Sequence, residues 1–149
     1  APEGSGFDLR IARLFILKGH GELTDTHRKT PEFETVSSDV GAVVDIEPQR
    51  YYVLQTMERV NFPEGYVGIV RPRSTLYRSG IILTSGQVNP GYRGQLFFGL
   101  VNLHTQPFRL AVGARVAHML VASVAGNTNP YQGQWQSGRP SAPSLELQI

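Results

Sequence analysis

The chain has 149 residues, no cysteine and a formal net charge of +2. That length is one domain's worth, enough to bury a core without staples, and the lack of cysteine excludes thiolate catalysis, disulfide frameworks and Cys-ligated zinc. The small net charge argues against a duplex binder, no apolar run reaches the roughly 18 residues of a membrane helix, and no charged-then-apolar leader opens the chain. We therefore expect a soluble, cytoplasmic protein with neither nucleic acid nor membrane as partner, whose start at Ala1 implies that leading residues were removed.

In chain order, FDLRIARLFIL (7 to 17) reads as the first strand, rich in Ile, Leu and Phe. LTDTHRKTPEFETVSSD (23 to 39) is polar and weakly patterned, and is expected to be an excursion loop with at most one helical turn. YYVLQTMERV (51 to 60), GYVGIVRP (65 to 72), SGIILTSG (79 to 86), GQLFFGLVNL (94 to 103) and ARVAHMLVASV (114 to 124) follow as strands bounded by Gly, Pro, Asn and Ser. No stretch between Gly41 and Val124 keeps a helical stripe for three turns without a breaker. The expectation is an all-β domain, a sandwich or a jelly roll, over residues 1–124. From Ala125 to Ile149 the chain turns to Gly, Asn, Pro, Gln and Ser and supplies no core of its own. This tail either dangles or docks, and Tyr131 and Trp135 equip it to dock.

Charge is unevenly distributed. Between Glu64 and Glu146 there is no Asp or Glu, while Arg71, Arg73, Arg78, Arg93, Arg109, Arg115 and Arg139 all fall in that span. Guanidinium suits bidentate capture of phosphate or carboxylate oxygens, so an anionic ligand stands beside a solvated face as a reading. Arg109 and Arg115 flank a predicted turn and suit the solvated face best; Arg71, Arg73 and Arg78 surround a proline and suit it least. A general base from the second half of the chain would have to be His104 or His118.

Two stretches carry candidate chemistry. In VRPRSTLYRSG (70 to 80), Pro72 fixes the backbone while Ser74 and Thr75 offer hydroxyls beside Arg73 and Arg78. It reads as a phosphate site or as an ordinary Arg-bearing strand end. In GQVNPGYRGQLFFGLVN (86 to 102), Pro90 and Gly91 make a turn and Tyr92 follows it, either as a platform for a flat or puckered ligand or as a strand-edge aromatic.

Together these residues resemble the trimeric dUTPase and dCTP deaminase superfamily. GSGFDLR (4 to 10), RPRSTLYRSG, GQVNPGYRG and GARVAHMLV (113 to 121) are similar, in that order and at suitable spacings, to its first, second, third and fourth motifs. The resemblance implies a distorted jelly-roll subunit of the dUTPase-like β-clip type, a homotrimer, and sites between subunits for a deoxynucleoside triphosphate with Mg2+ held mainly through its phosphates. Carried over by position, Arg73 and Ser74 contact phosphates with Thr75 and Arg78 beside them. Tyr92 packs on deoxyribose, and main-chain groups from Thr84 through Gly86 to Val88 read the pyrimidine. Asp8 matches the first-motif carboxylate, or is a turn carboxylate. His118 stands where the family has Gln, or is an ordinary strand histidine. Tyr131, Gln132, Gln134 and Trp135 are similar to the nucleotide-covering tail of the deaminase branch, a second deaminase-like feature after Arg78.

The two branches need different bases. Cleaving dUTP to dUMP and diphosphate needs a carboxylate to deprotonate an in-line water, and the family's Asp falls at Asn89. Deaminating dCTP needs a Glu that falls at Gly99, inside the apolar run LFFGLV. Asn89 keeps the shape of Asp without its proton affinity, as a naturally silenced or an engineered site would. The resulting expectation is a dUTP diphosphatase-type hydrolase impaired at Asn89. The alternatives are a dCTP deaminase using another base such as Asp8, and a catalytically silent nucleotide-binding trimer.

Overall fold

Buried Leu9, Ile11 and Leu14 are interleaved with the polar Asp8, Arg10 and Arg13, a half-buried strand pattern. In the computed structural model, which describes residues 4–148, this stretch is β1 (Gly6–Lys18). β2 (Glu22–Leu23), β3 (His27–Lys29), β4 (Glu32–Ser37), β5 (Val43–Ile46), β6 (Tyr51–Asn61) and β7 (Tyr66–Pro72) follow. A five-residue helix, α1 (Ser74–Arg78), leads to β8 (Ile81–Thr84), β9 (Gln87–Val88), β10 (Arg93–Asn102), β11 (Phe108–Ala111), β12 (Arg115–Ser123) and, at the end of the tail, β13 (Glu146–Leu147).

One antiparallel sheet runs β8-β10-β6-β1-β12-β7-β9, with β4 also on β1. β1 can serve so many partners because it bends. Its register shifts between Leu9 and Arg10, Ile11 and Arg13, and Leu14 and Phe15, passing it from β12 to β6 and β4. Irregularities of this kind raise local twist and curl a sheet. The curled sheet encloses Leu9, Tyr52, Leu54, Ile81, Leu100 and Val116, all 2% exposed or less, and burial of each contributes about 1.5–3 kcal/mol. Asn102 is buried with them, and its amide donates to the carbonyls of Ile46 (2.9 Å) and Gln106 (2.8 Å) while accepting from the His104 amide (2.8 Å). That satisfied polar group ties the end of β10 to the start of the β10–β11 turn.

The fold is the all-β one expected. One expectation fails: residues 23–39 are not a loop, but contain β3 and β4, with β4 paired to β1 from Glu32–Lys18 to Ser37–Leu14. This strand is an exposed sheet margin, so its ladder is supplied by β1 and the apolar alternation that marks buried strands is weak there. The predicted strand 79–86 shortens to Ile81–Thr84 because Ser79 and Gly80 close α1, a helix the sequence reading did not place.

Candidate functional site

The first cluster is built on the β1–β12–β7 ladder. Asp8 faces His118 across the β1–β12 register, and His118 faces Arg71 on β7. Asp8 receives hydrogen bonds from Arg73 Nη1 (3.1 and 3.2 Å), Arg115 Nη1 (3.0 Å) and His118 Nδ1 (3.1 Å). With a carboxylate as acceptor, His118 must carry its proton on Nδ1. The His118 hydrogen bond holds the Asp8 carboxyl below its ordinary value most strongly; desolvation opposes, and the bonds from Arg73 and Arg115 add to the lowering. One anion beside two permanent cations leaves the cluster net positive, suited to attracting a polyanion. Ser74, Thr75 and Arg78 sit just beyond it on α1, all exposed. Arg115 does not belong to a merely solvated face: its guanidinium is committed to Asp8, because the β1–β12 register sets Arg115 opposite Arg10, two residues from Asp8.

The second cluster lies around the turn after β9. Gly91 has φ +82°, and a Cβ there would come within 2.9 Å of Pro130, so both the turn and the tail need glycine. The turn closes through the Tyr92 amide donating to Asn89 O (3.1 Å). Asn89 and Tyr92 open onto a cleft of about 600 Å³, lined also by Tyr51, Val53, Gln87, Val88, Leu96, Phe97, Tyr131 and Trp135. The Asn89 side-chain carbonyl accepts from Gln87 Nε2 at 2.7 Å, which turns its NH2 group to donor duty.

Tyr92 is 7% exposed rather than an open platform. Its hydroxyl donates to Gln95 O (2.5 Å), its ring meets that of Tyr131 edge-on at 5.6 Å, and burial pushes its phenol above the ordinary value. The tail makes this enclosure. The Tyr131 amide donates to Pro90 O (2.7 Å), and Gln136 donates to Gly91 O (3.1 Å) and accepts from the Arg93 amide (2.8 Å). Farther along, Glu146 on β13 binds Arg28 (2.7 Å) and Arg139 (2.8 Å), and the Arg139 guanidinium lies 5.9 Å over the ring of Trp135.

Of the residues expected to form a site, Asp8, Arg73 and His118 meet in the first cluster, while Val88, Asn89, Tyr92, Tyr131 and Trp135 line the cleft. Neither Arg73, Ser74, Asp8 nor His118 lines that cleft in a single chain. Thr84 ends β8, Gly86 lies in the link to β9, and Gln134 is half-buried in the tail without lining the cleft. The sequence reading missed Gln87, Gln136 and Tyr51. Only Tyr51 had a signal, its alternation with Val53 on one strand face.

Among the described residues no group of three or more His, Asp or Glu is arranged to hold a metal ion, and no helix is long and apolar enough to cross a membrane. A dCTP deaminase-like family model matches residues 3–124. A probable deoxyuridine 5'-triphosphate nucleotidohydrolase of Methanopyrus kandleri is 37% identical over 134 residues, 88% of this chain and 84% of that one. A dCTP deaminase of Pyrococcus furiosus is 32% identical over 133 residues, 89% of this chain and 76% of that one. The crystal structure of the Agrobacterium tumefaciens dCTP deaminase shares the fold with a TM-score of 0.61 at 15% identity over 80% of this chain, which spans 38% of that protein's length. EIAV dUTPase shares it with a TM-score of 0.52 at 15% identity, over 80% of this chain and 97% of that one. Four motif-bearing segments on one curled sheet, matched by relatives carrying either activity, have a single explanation: the chain belongs to the dCTP deaminase-like family.

Proposed function

We propose that the chain is a dUTP diphosphatase-type hydrolase, converting dUTP and water to dUMP and diphosphate, with its turnover held down by Asn89. The observation that carries this reading is the pairing of a formed cleft at Asn89 with a crowded position at Gly99. A Cβ at Gly99 would overlap the Tyr51 hydroxyl and Thr84 Oγ1, so a deaminase Glu there requires both side chains to move aside. Asn89, in contrast, sits in the cleft wall, where an Asp of the same shape would face a bound ligand.

In this reading Arg73, with Ser74 beyond it, receives the phosphates, and Tyr92 with the tail residues Tyr131 and Trp135 covers the nucleoside and excludes water. Position 89 holds the water that attacks the α-phosphorus, as diphosphate departs. Asn89 orients that water and cannot take its proton. Because the Asn89 cleft and the Arg73 cluster do not meet within one chain, a homotrimer with sites between subunits is part of the proposal. Mg2+ fits only as an ion carried by the triphosphate. Both Asp8 oxygens are already engaged by Arg73, Arg115 and His118, so the chain adds no ready carboxylate. When bound, such an ion neutralises phosphate charge.

The test is Asn89→Asp. We expect diphosphate release from dUTP with Mg2+ to rise about 10²- to 10⁴-fold over the parent chain, the usual worth of a positioned base. No turnover of dUTP by Asn89→Asp would sink the hydrolase reading. A silent, nucleotide-sensing trimer is the second reading, favoured by the Gln87–Asn89 bond, which gives the amide a settled place. Uracil-selective calorimetric binding with no gain from Asn89→Asp would support it.

A further inference from the structure

Asp8 and His118 stand opposite one another on β1 and β12, and Arg71 stands opposite His118 on β7, so the three side chains rise from one face of the sheet. His118 Nδ1 and Arg73 Nη1 reach the same carboxylate oxygen, Asp8 Oδ1, each at 3.1 Å. The imidazole is thereby held beside the guanidinium that receives phosphate in the reading above. The far side of its ring is unengaged. Nε2 has no hydrogen-bond partner among the described residues and is not a buried atom, and the side chain is 26% exposed. Gly6 leaves that side clear, since a Cβ there would stand 3.0 Å from Nε2. These contacts decide what Nε2 can offer. Ionised Asp8 only accepts, so the one proton of a neutral His118 ring sits on Nδ1 and Nε2 presents a lone pair. A phosphate oxygen arriving there meets another acceptor. Moving the proton to Nε2 breaks the bond to Asp8, whereas adding a second proton keeps that bond and makes Nε2 a charged donor.

We propose that phosphate binding at the Asp8 cluster is coupled to the uptake of a proton by His118, which then acts as a pH-dependent cation beside Arg73. This rests on the nucleotide reading given above. The charged groups around the ring set the sign of the coupling. From β1, Asp8 favours the imidazolium, while Arg10 is already paired with Glu58 of β6 at 2.8 Å. Arg71 on β7, Arg73 just after it and Arg115 on β12 oppose it. In the free chain one anion faces three cations; a bound polyphosphate reverses that balance and draws the proton onto Nε2 from solvent. Histidine is the side chain whose charge changes between about pH 5 and 8, so the coupling falls in that interval. Asp8, held below the ordinary carboxylate range, is already ionised there and does not take up the proton. A side-chain amide at position 118 would donate to phosphate without titrating.

The measurement is calorimetric titration of the full chain with dUTP and Mg2+ at about pH 7.5, in buffers of different ionisation heat, which counts the protons taken up on binding. A phosphate's second pKa lies near 6, so the nucleotide is itself already deprotonated at that pH. For the parent chain we expect uptake approaching one proton, and dUTP affinity that rises toward the limit of about tenfold per unit fall in pH across the histidine interval. His118→Gln keeps a donor and removes the titration, so uptake should vanish and the affinity should lose that pH dependence. His118→Asn repeats the comparison if His118→Gln fails to fold. A parent chain that binds dUTP with no proton uptake, or a folded variant that takes up as many protons as the parent, overturns the coupling and leaves the hydrolase reading standing. A parent chain that binds no dUTP at any pH overturns the nucleotide reading, and the coupling with it.

Discussion

Asp8 shows how much one side chain can organise. Its carboxylate takes three donors from three places in the chain, Arg73 after β7, Arg115 at the start of β12 and His118 within it. That environment holds its pKa below the ordinary 3.8. As pH falls, the unfolded chain therefore takes up this proton before the folded one does. Stability from Asp8 is complete above about pH 4 and is lost as pH drops through the folded value. Melting temperature measured from pH 6 to pH 2 should fall less steeply for Asp8→Asn than for the parent below pH 4; identical acid slopes would mean the cluster contributes no linked stability. Asp8, Arg73 and His118 stood out in the sequence because their neighbours form recognisable runs. Arg115 did not, because its role depends on a ladder register that brings it beside a residue 107 positions away.

At the scale of elements, the tail rests on β10 backbone to backbone. Gly94 has φ +138°, and a Cβ there would lie 2.5 Å from the Gly138 amide nitrogen, so the short 3-10 turn Gln136–Gly138 seats directly on the strand. Gly94→Ala adds both backbone strain and a collision, and should destabilise the protein by roughly 1–3 kcal/mol. Its specific signature is release of the tail: faster chymotryptic cleavage at Tyr131 or Trp135, and a red shift in the emission of Trp135, the chain's one tryptophan. A cleavage rate equal to the parent's would show that the turn does not hold the tail down. The principal strands were legible from apolar runs between turn formers, since those residues are buried by the sheet itself. β3, β4 and β13 were not, for they are short, polar and partly exposed, and their extended form comes from the partner strand they bond.

At the scale of the molecule, the Asn89 cleft and the Arg73 cluster do not share lining residues, and an apolar groove lined by Phe7, Phe62, Tyr66, Met119 and Val121 lies open. Phe7 and Tyr66 are each 46% exposed and Val121 42%, apolar surface of the kind a subunit contact covers. Sedimentation equilibrium should give a mass three times the 16.4 kDa of the chain; full dUTP affinity in a species of monomer mass would refute sites shared between subunits. The sequence by itself determined the all-β class and the family, because alternation, turn formers and motif residues act locally and are written in order. Only the tertiary structure decided that Tyr51 and Thr84 close the space over Gly99, that Gln87 turns the Asn89 amide, and that the tail encloses Tyr92. Each of these depends on which strands lie side by side and in what register, a property of long-range pairing that no local run of residues encodes.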